Sequence, residues 1–154
     1  MTTQWIWFDM DGTIADFYNT ENWLADIRNF NARPYLNAKP LYDLAELFFT
    51  LADLRSKGYK LGIISWSSKT SNSAFDRAVE KAKNEWLYNN LLDCLFDKVI
   101  VTAYGINKAD TCRPYGSGIL VDDETANLDK WDLGGTINAN NNILEILKNL
   151  EKCA

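Results

Sequence analysis

The chain has 154 residues, 47% of them hydrophobic and 24% charged, which is the size and composition of one ordinary globular domain. Its formal net charge of -5 argues against a broad basic face for a long nucleic acid, whereas a small anionic substrate fits if a bound cation reverses the local field. The chain has no histidine, which excludes Ser-His-Asp and Cys-His nucleophilic sites, HExxH zinc sites and histidine phosphorelays.

We expect neither a membrane span nor an export signal. No apolar run approaches the roughly 18 residues that a membrane span needs, and no basic segment leads into a long apolar stretch at the N-terminus. The three cysteines, Cys94, Cys112 and Cys153, are widely spaced and form no C-x-x-C pair. These features predict a cytoplasmic protein with reduced thiols and no membrane partner.

The hydrophobic pattern predicts strands that alternate with helices along the chain. After a strand at residues 4–8, apolar residues at Trp23, Leu24 and Ile27 indicate a short helix, followed by an irregular loop at 31–35. The later elements are a helix at 41–54, a strand at 60–65, a helix at 75–90, strands at 99–103 and 119–121, a weak strand at 136–138 and a helix at 142–150. This order predicts an α/β domain with a mainly parallel sheet, helices on both faces, and ligands beyond the carboxyl ends of the strands.

The first strand ends in the sequence Asp-Met-Asp-Gly-Thr at residues 9–13. Asp9 and Asp11 are two residues apart on an extended segment, so their side chains point the same way and repel unless a cation or a proton lies between them. Gly12 allows a sharp turn whose N–H groups can face an anion. The alternative is a solvated turn, since Asp and Gly are common turn residues.

Two further strand ends carry groups that suit a phosphate. Ser65 ends the second long strand, although serines in such loops are most often turn or cap residues. Lys108 follows the carboxyl end of the third, whereas Lys98 lies at its amino end and is expected at the opposite edge of the sheet. Arg113, also between the third and fourth strands, is the reserve candidate for the cation.

The fourth strand runs directly into Asp122, Asp123 and Glu124. Three adjacent acids beside Asp9 and Asp11 would repel strongly unless a divalent cation neutralised them, and carboxylate oxygens favour Mg²⁺ over Zn²⁺. The alternative is an acidic helix N-terminus stabilised by the helix dipole, which suits Glu124.

In this order the four strand ends resemble the four motifs of the haloacid dehalogenase-like (HAD) superfamily, over nearly the whole chain. Residues 9–13 match its D-x-D-G-T motif, Ser65 its Ser/Thr, Lys108 its Lys, and residues 122–123 its acidic pair. The resemblance implies a Rossmann-like core and a phosphatase mechanism. Asp9 would attack phosphorus, and Asp11, with its pKa raised, would act as general acid and then base.

The same resemblance implies a Mg²⁺ site and assigns the remaining motif residues. Ser65 and Lys108 would hold the transferring phosphoryl oxygens. Asp9, the backbone carbonyl of Asp11 and one acid of the pair at 122–123 would bind Mg²⁺. Asp123 is favoured as the direct ligand and Asp122 as the partner that orients Lys108.

Substrate choice in this superfamily usually depends on cap insertions, and this chain has room for only a minimal one. We expect a single domain, residues 1–154, with a short cap-like insert at about 15–39. A short helix packed on the core is the alternative for this insert. The candidates for substrate contact, chosen by nearness in sequence, are Met10, Trp66, Asp16, Tyr18, Arg33 and Tyr35.

The N-W-L, P-Y, K-P-L and I-S-W stretches resemble small HAD proteins of bacteria and their phages, generally called uncharacterised or nucleotidase-like. A more distant likeness is to 5′(3′)-deoxyribonucleotidases and to the phosphatase half of polynucleotide kinase-phosphatases. The leading expectation is Mg²⁺-dependent hydrolysis of a small phosphorylated substrate, with nucleotides as first candidates. The alternatives are a polynucleotide end phosphatase and a catalytically idle binding or assembly module. The oligomeric state stays open.

Overall fold

A computed structural model of the protein describes residues 3–70 and 72–153. Its centre is a five-stranded parallel sheet of strand order β5-β4-β1-β6-β7. The strands of this sheet are β1 (Trp5–Phe8), β4 (Lys60–Trp66), β5 (Lys98–Thr102), β6 (Gly118–Asp122) and β7 (Thr136–Asn138). A separate antiparallel pair is formed by β2 (Ala15–Asp16) and β3 (Lys39–Pro40). The predicted strands, including the weak one at 136–138, are confirmed.

The helices lie in the connections between strands, except for the last, which follows β7. They are α1 (Trp23–Arg28), α2 (Arg33–Asn37), α3 (Leu44–Ser56), α4 (Ser73–Asn89), α5 (Lys108–Cys112), α6 (Thr125–Asp129) and α7 (Ile143–Lys148). Helix α3 begins three residues later than predicted because Asp43 caps it, accepting a hydrogen bond from the Glu46 N–H at 3.0 Å. In the described parts of the chain, no helix has both the length and the apolar character needed to cross a membrane.

Both faces of the sheet are buried, as the predicted helices on either side require. Along β1, Trp5 and Trp7 point to one face, and Ile6 and Phe8 to the other. The larger core packs the second face against α3, α4 and α7. The smaller core covers the first face and includes the stacked Trp5 and Trp7 rings, 4.7 Å apart. The predicted fold class is therefore confirmed.

The segment at 15–39 folds over one end of the sheet. Its Phe17 and Tyr35 rings stack with centroids 4.5 Å apart, and both pack against Phe75 and Val79 of α4. The predicted irregular loop at 31–35 is wrong from residue 33 onward, where α2 begins. Pro34 lies in the first turn of this helix, a position at which its missing N–H costs nothing and its fixed φ favours helix.

Candidate active site

Three carboxylates converge at the carboxyl ends of two neighbouring strands. Asp9 follows β1, and Asp122 and Asp123 lie at the end of β6; one oxygen of each lies within 4.8 Å of those of the other two. Parallel pairing of Phe8 with Val121 brings them together. Burial, followed by the charges of Asp9 and Asp122, raises the pKa of Asp123 to about 7. The donors are hard oxygens, so the cluster fits a cation such as Mg²⁺.

Lys108 joins two of these carboxylates. Its ammonium donates to Asp9 Oδ1 at 2.9 Å and to Asp122 Oδ2 at 2.7 Å, and the residue is only 3% exposed. Burial alone would lower the pKa of Lys108, but the charges of Asp9 and Asp122 outweigh it and raise the pKa. Lys98 begins β5 and is exposed at the opposite edge of the sheet. The structure thus places the two lysines as the sheet rule predicts.

Asp122 and Asp123 differ in how many of their lone pairs are already used. The Asp122 side chain is fully buried; its Oδ1 accepts from the Glu124 N–H at 2.9 Å, and its Oδ2 accepts from Lys108 and from Asn127 Nδ2 at 3.1 Å. Asp123 accepts one long hydrogen bond, 3.4 Å, from the Thr13 hydroxyl. Asp123 therefore has more capacity for a metal ion. Sequence reasoning missed Asn127, a single buried amide in a five-residue helix.

Asp11 is held by a lysine that sequence reasoning also missed. Lys83, on α4 and 1% exposed, donates to Asp11 Oδ2 at 2.9 Å, to Ser65 Oγ at 2.6 Å and to the Trp66 carbonyl at 2.8 Å. Burial raises the pKa of Asp11 above its ordinary value even though the Lys83 ammonium opposes the shift. The signal was present in the sequence, because Lys83 falls on the buried stripe of α4 between Val79 and Trp86.

The turn at Gly12 brings this loop against β6. Gly12 has φ of 80°, and the N–H groups of residues 13–15 donate to the Met10 carbonyl at 3.0–3.1 Å. A Cβ at Gly12 would overlap the Asp123 carboxylate. A side chain here would therefore meet both a strained backbone and the acidic cluster, and only glycine allows the close approach.

A pocket of about 340 Å³ opens above Asp9, Asp11 and Lys108. Six of the sixteen described residues that line it carry aromatic rings. Its ring-bearing lining residues are Phe17, Tyr18, Trp23, Tyr35, Trp66 and Tyr104. The Trp66 ring lies 4.9 Å from that of Tyr104, and its indole N–H donates to the Ile106 carbonyl at 2.8 Å. The acidic site therefore lies at the bottom of a chamber suited to a flat apolar group.

The predicted substrate-contact residues fall into separate places. Tyr18, Tyr35 and Trp66 line the pocket. Asp16 and Arg33 instead line a polar cleft in the insert, because β2 and α2 turn these side chains away from the pocket.

The remaining candidates lie below or away from the pocket. The Met10 side chain is 1% exposed within the larger core. Ser65 is fully buried and reached by Lys83, so its hydroxyl lies beneath the pocket wall. The reserve cation, Arg113, is exposed and pairs with Asp110 and Asp132, leaving Lys108 as the cation beside Asp9.

Comparison with known proteins adds evidence on the fold. No protein-family model matches the chain. No curated protein matches it either. Among solved structures, a haloacid dehalogenase-like family hydrolase from Streptococcus pneumoniae is similar, with a TM-score of 0.54 and 15% identity over 84% of this chain and 80% of that one. The chain therefore shares the Rossmann-like fold of this hydrolase, and the fold that the motif resemblance implies is confirmed.

Proposed function

We propose that this protein is a Mg²⁺-dependent phosphomonoester hydrolase that works through an aspartyl-phosphate on Asp9. The observation that carries the proposal is the buried Lys108, which links Asp9 and Asp122 beneath a pocket that Asp9 itself lines. The similar solved structure is also described as a hydrolase. Residues of this kind at these strand ends suit attack on phosphorus and stabilisation of the charge that develops.

The two steps follow from the positions of Asp9 and Asp11. A carboxylate oxygen of Asp9 forms a bond to phosphorus while the ester P–O bond breaks, and the departing oxygen takes the proton of Asp11. Asp11 then removes a proton from water, which attacks the phosphorus of the acyl phosphate, releasing inorganic phosphate and restoring Asp9. The raised pKa of Asp11 favours the protonated form that the first step needs.

Asp9, Asp123 and the backbone carbonyl of Asp11 would hold the cation. Asp122 is less suited, because Lys108, Asn127 and the Glu124 N–H already occupy its oxygens. When bound, Mg²⁺ would supply positive charge that offsets the charge shared by the phosphate and Asp9. Lys108 adds a second positive charge beside Asp9 and keeps its carboxylate oriented.

The aromatic chamber suits a small phosphate ester whose leaving group is planar and apolar. Nucleoside monophosphates are the first candidates. The volume of about 340 Å³ is that of a small-molecule site. Rings such as those of Trp66 and Tyr104 can pack against a flat group in offset-stacked or edge-to-face arrangements.

The test is a hydrolysis panel with and without Mg²⁺. An aryl phosphate, mononucleotides and 3′-phosphorylated oligonucleotides are compared in wild type and in Asp9→Asn. The expected result is Mg²⁺-dependent release of phosphate from the aryl ester and from mononucleotides, and none with Asp9→Asn. Preference for oligonucleotides would favour the polynucleotide end phosphatase. No turnover of any ester would overturn the proposal in favour of a binding module.

A further inference from the structure

We propose that Lys83 is a positioning residue that fixes Asp11 for proton transfer to the leaving group and from water. The inference rests on the proposed function, in which Asp11 is the general acid and base. Lys83 is not among the described residues that line the pocket, whereas Asp11 is. Of the residues that Lys83 contacts by hydrogen bonds, Asp11 and Trp66 line the pocket, and of these only Asp11 can transfer a proton.

The geometry accounts for every proton of the Lys83 ammonium. Its three acceptors are Asp11 Oδ2 at 2.9 Å, Ser65 Oγ at 2.6 Å and the Trp66 carbonyl at 2.8 Å. The ring of Tyr35, from the insert, lies on another side, with its centroid 5.0 Å from Nζ. An ammonium has three donors, so this one is fully used. Lys83 thereby connects the end of β1, the end of β4 and the insert.

The arrangement leaves one Asp11 oxygen available. Lys83 holds Oδ2, and within residues 3–70 and 72–153 Oδ1 accepts no hydrogen bond from a side chain or backbone N–H. A carboxylate with one oxygen fixed behind it can present the other to the pocket in a single orientation. Proton transfer needs heavy atoms about 2.6–3.2 Å apart, so this orientation controls its efficiency.

Stability alone gives a weak reason for a lysine at this position. The neighbours of Lys83 on the buried stripe of α4 are Val79, Ala82 and Trp86, and an apolar side chain would continue that stripe. Burying a charge has a large desolvation cost, and replacing a buried ion pair by apolar residues is often neutral or stabilising. The ammonium is better explained by what it holds, namely Asp11 and the end of β4.

The test is a double-mutant cycle on kcat/KM, which reports the steps up to departure of the leaving group, with two leaving groups. Lys83→Met and Asp11→Asn are made singly and together, and each is assayed with 2,4-dinitrophenyl phosphate, whose leaving group needs no proton, and with phenyl phosphate, whose leaving group does. Because a displacement of about 1 Å can cost about 10²-fold in rate, Lys83→Met should lose about 10²-fold on phenyl phosphate. The loss on the dinitrophenyl ester should be at least about tenfold smaller.

The cycle separates positioning from a structural role. In the Asp11→Asn background, Lys83→Met should change kcat/KM less than about threefold, since the carboxyl group it positions is already gone. The control is Lys81→Met on the same helix, whose side chain is 79% exposed and which should stay within about twofold of wild type. If Lys83→Met does not fold, Lys83→Gln, which keeps two donors, replaces it in the cycle.

Each outcome of the cycle either supports or overturns the positioning role of Lys83. Losses that are equal on both esters and multiply with those of Asp11→Asn would overturn the role of Lys83 while leaving the proposed function standing. A wild type that hydrolyses neither ester would overturn the proposed function and this inference together. A loss confined to phenyl phosphate and absent from the Asp11→Asn background would establish Lys83 as the residue that positions the acid.

Discussion

Replacing Lys108 tests the centre of the proposed site. Lys108→Ala removes the two charge-assisted hydrogen bonds, 2.9 and 2.7 Å long, to Asp9 and Asp122. Loss of a preorganised donor that stabilises transition-state charge typically costs about 10²–10³ in rate, or about 2.7–4 kcal/mol. We expect kcat to fall by at least that factor. Asp9, the proposed nucleophile, would also lose the group that orients it.

The same change should lower stability, because it leaves two carboxylates buried without their partner. Asp122 is fully buried and Asp9 is 8% exposed, so removing one side of the pair should cost about 3–5 kcal/mol in the metal-free protein. Part of this loss should be recovered with Mg²⁺, which binds the folded state. Thermal unfolding with and without Mg²⁺ measures this effect separately from catalysis.

The assay is hydrolysis of an aryl phosphate at saturating Mg²⁺, at a temperature where each variant is folded. Two matched controls are available. Lys98→Ala removes an exposed lysine at the opposite edge of the sheet, and Arg113→Ala removes an exposed cation whose ion-pair partners are Asp110 and Asp132. Both should stay within about twofold of wild type. Wild-type activity in Lys108→Ala, or an inactive Arg113→Ala, would refute the reasoning.

Further predictions concern the acidic residues. Asp9→Asn should abolish turnover in a folded protein. Asp11→Asn should lose about 10²–10⁴-fold in kcat/KM on esters with poor leaving groups and much less on dinitrophenyl phosphate, while hydrolysis of the aspartyl-phosphate should slow with both esters. Equal losses of kcat/KM on both esters would argue against Asp11 as the acid. Millimolar Mg²⁺ should raise the melting temperature of wild type but not of the Asp9→Asn, Asp123→Asn double variant, and equal shifts in both would eliminate the metal site. The pKa of Asp123 is raised from 3.8 to about 7, so between these pH values the folded state binds more protons than the unfolded state and stability falls as pH rises. In calorimetry, metal-free wild type should therefore lose more stability than Asp123→Asn between about pH 5 and pH 8. The rise in melting temperature caused by Mg²⁺ should also be larger at pH 8. Identical pH profiles of the two proteins would contradict this.

The ends of the strands could be predicted because they depend on local pattern. Short apolar runs such as residues 4–8 and 119–121 identify buried strands, and in a parallel sheet their carboxyl ends share one edge. This rule was sufficient to separate Lys108 from Lys98 and to place Asp9 and Asp122 at the same end of the sheet. It needs only the direction of each strand, whereas the pairing of β1 with β6, which brings the two acids together, is found in the structure.

The insert could not be predicted in the same way, because nearness in sequence does not determine where a side chain points. Tyr18 lines the pocket while Asp16, two residues earlier, lines the separate cleft. The difference arises from the β2–β3 pairing of Asp16 with Lys39, a contact between residues 23 positions apart. Pairings of this kind depend on tertiary packing, which short-range pattern does not encode.

The two buried lysines show why predicting the site needs both local sequence pattern and tertiary packing. They also determine how much charge a bound cation would have to balance. Lys108 reaches Asp9 and Asp122 from the connection after β5, and Lys83 reaches Asp11 from the middle of α4.

With Asp123 included, the site contains four carboxylates and two ammonium groups. If all are ionised, two negative charges remain unbalanced in a site largely shielded from water, which is an unfavourable state. A single divalent cation balances them, and in its absence the raised pKa of Asp123 lets a proton remove part of the same excess. Protons and Mg²⁺ should thus compete for one site, which is why the metal and pH predictions depend on each other.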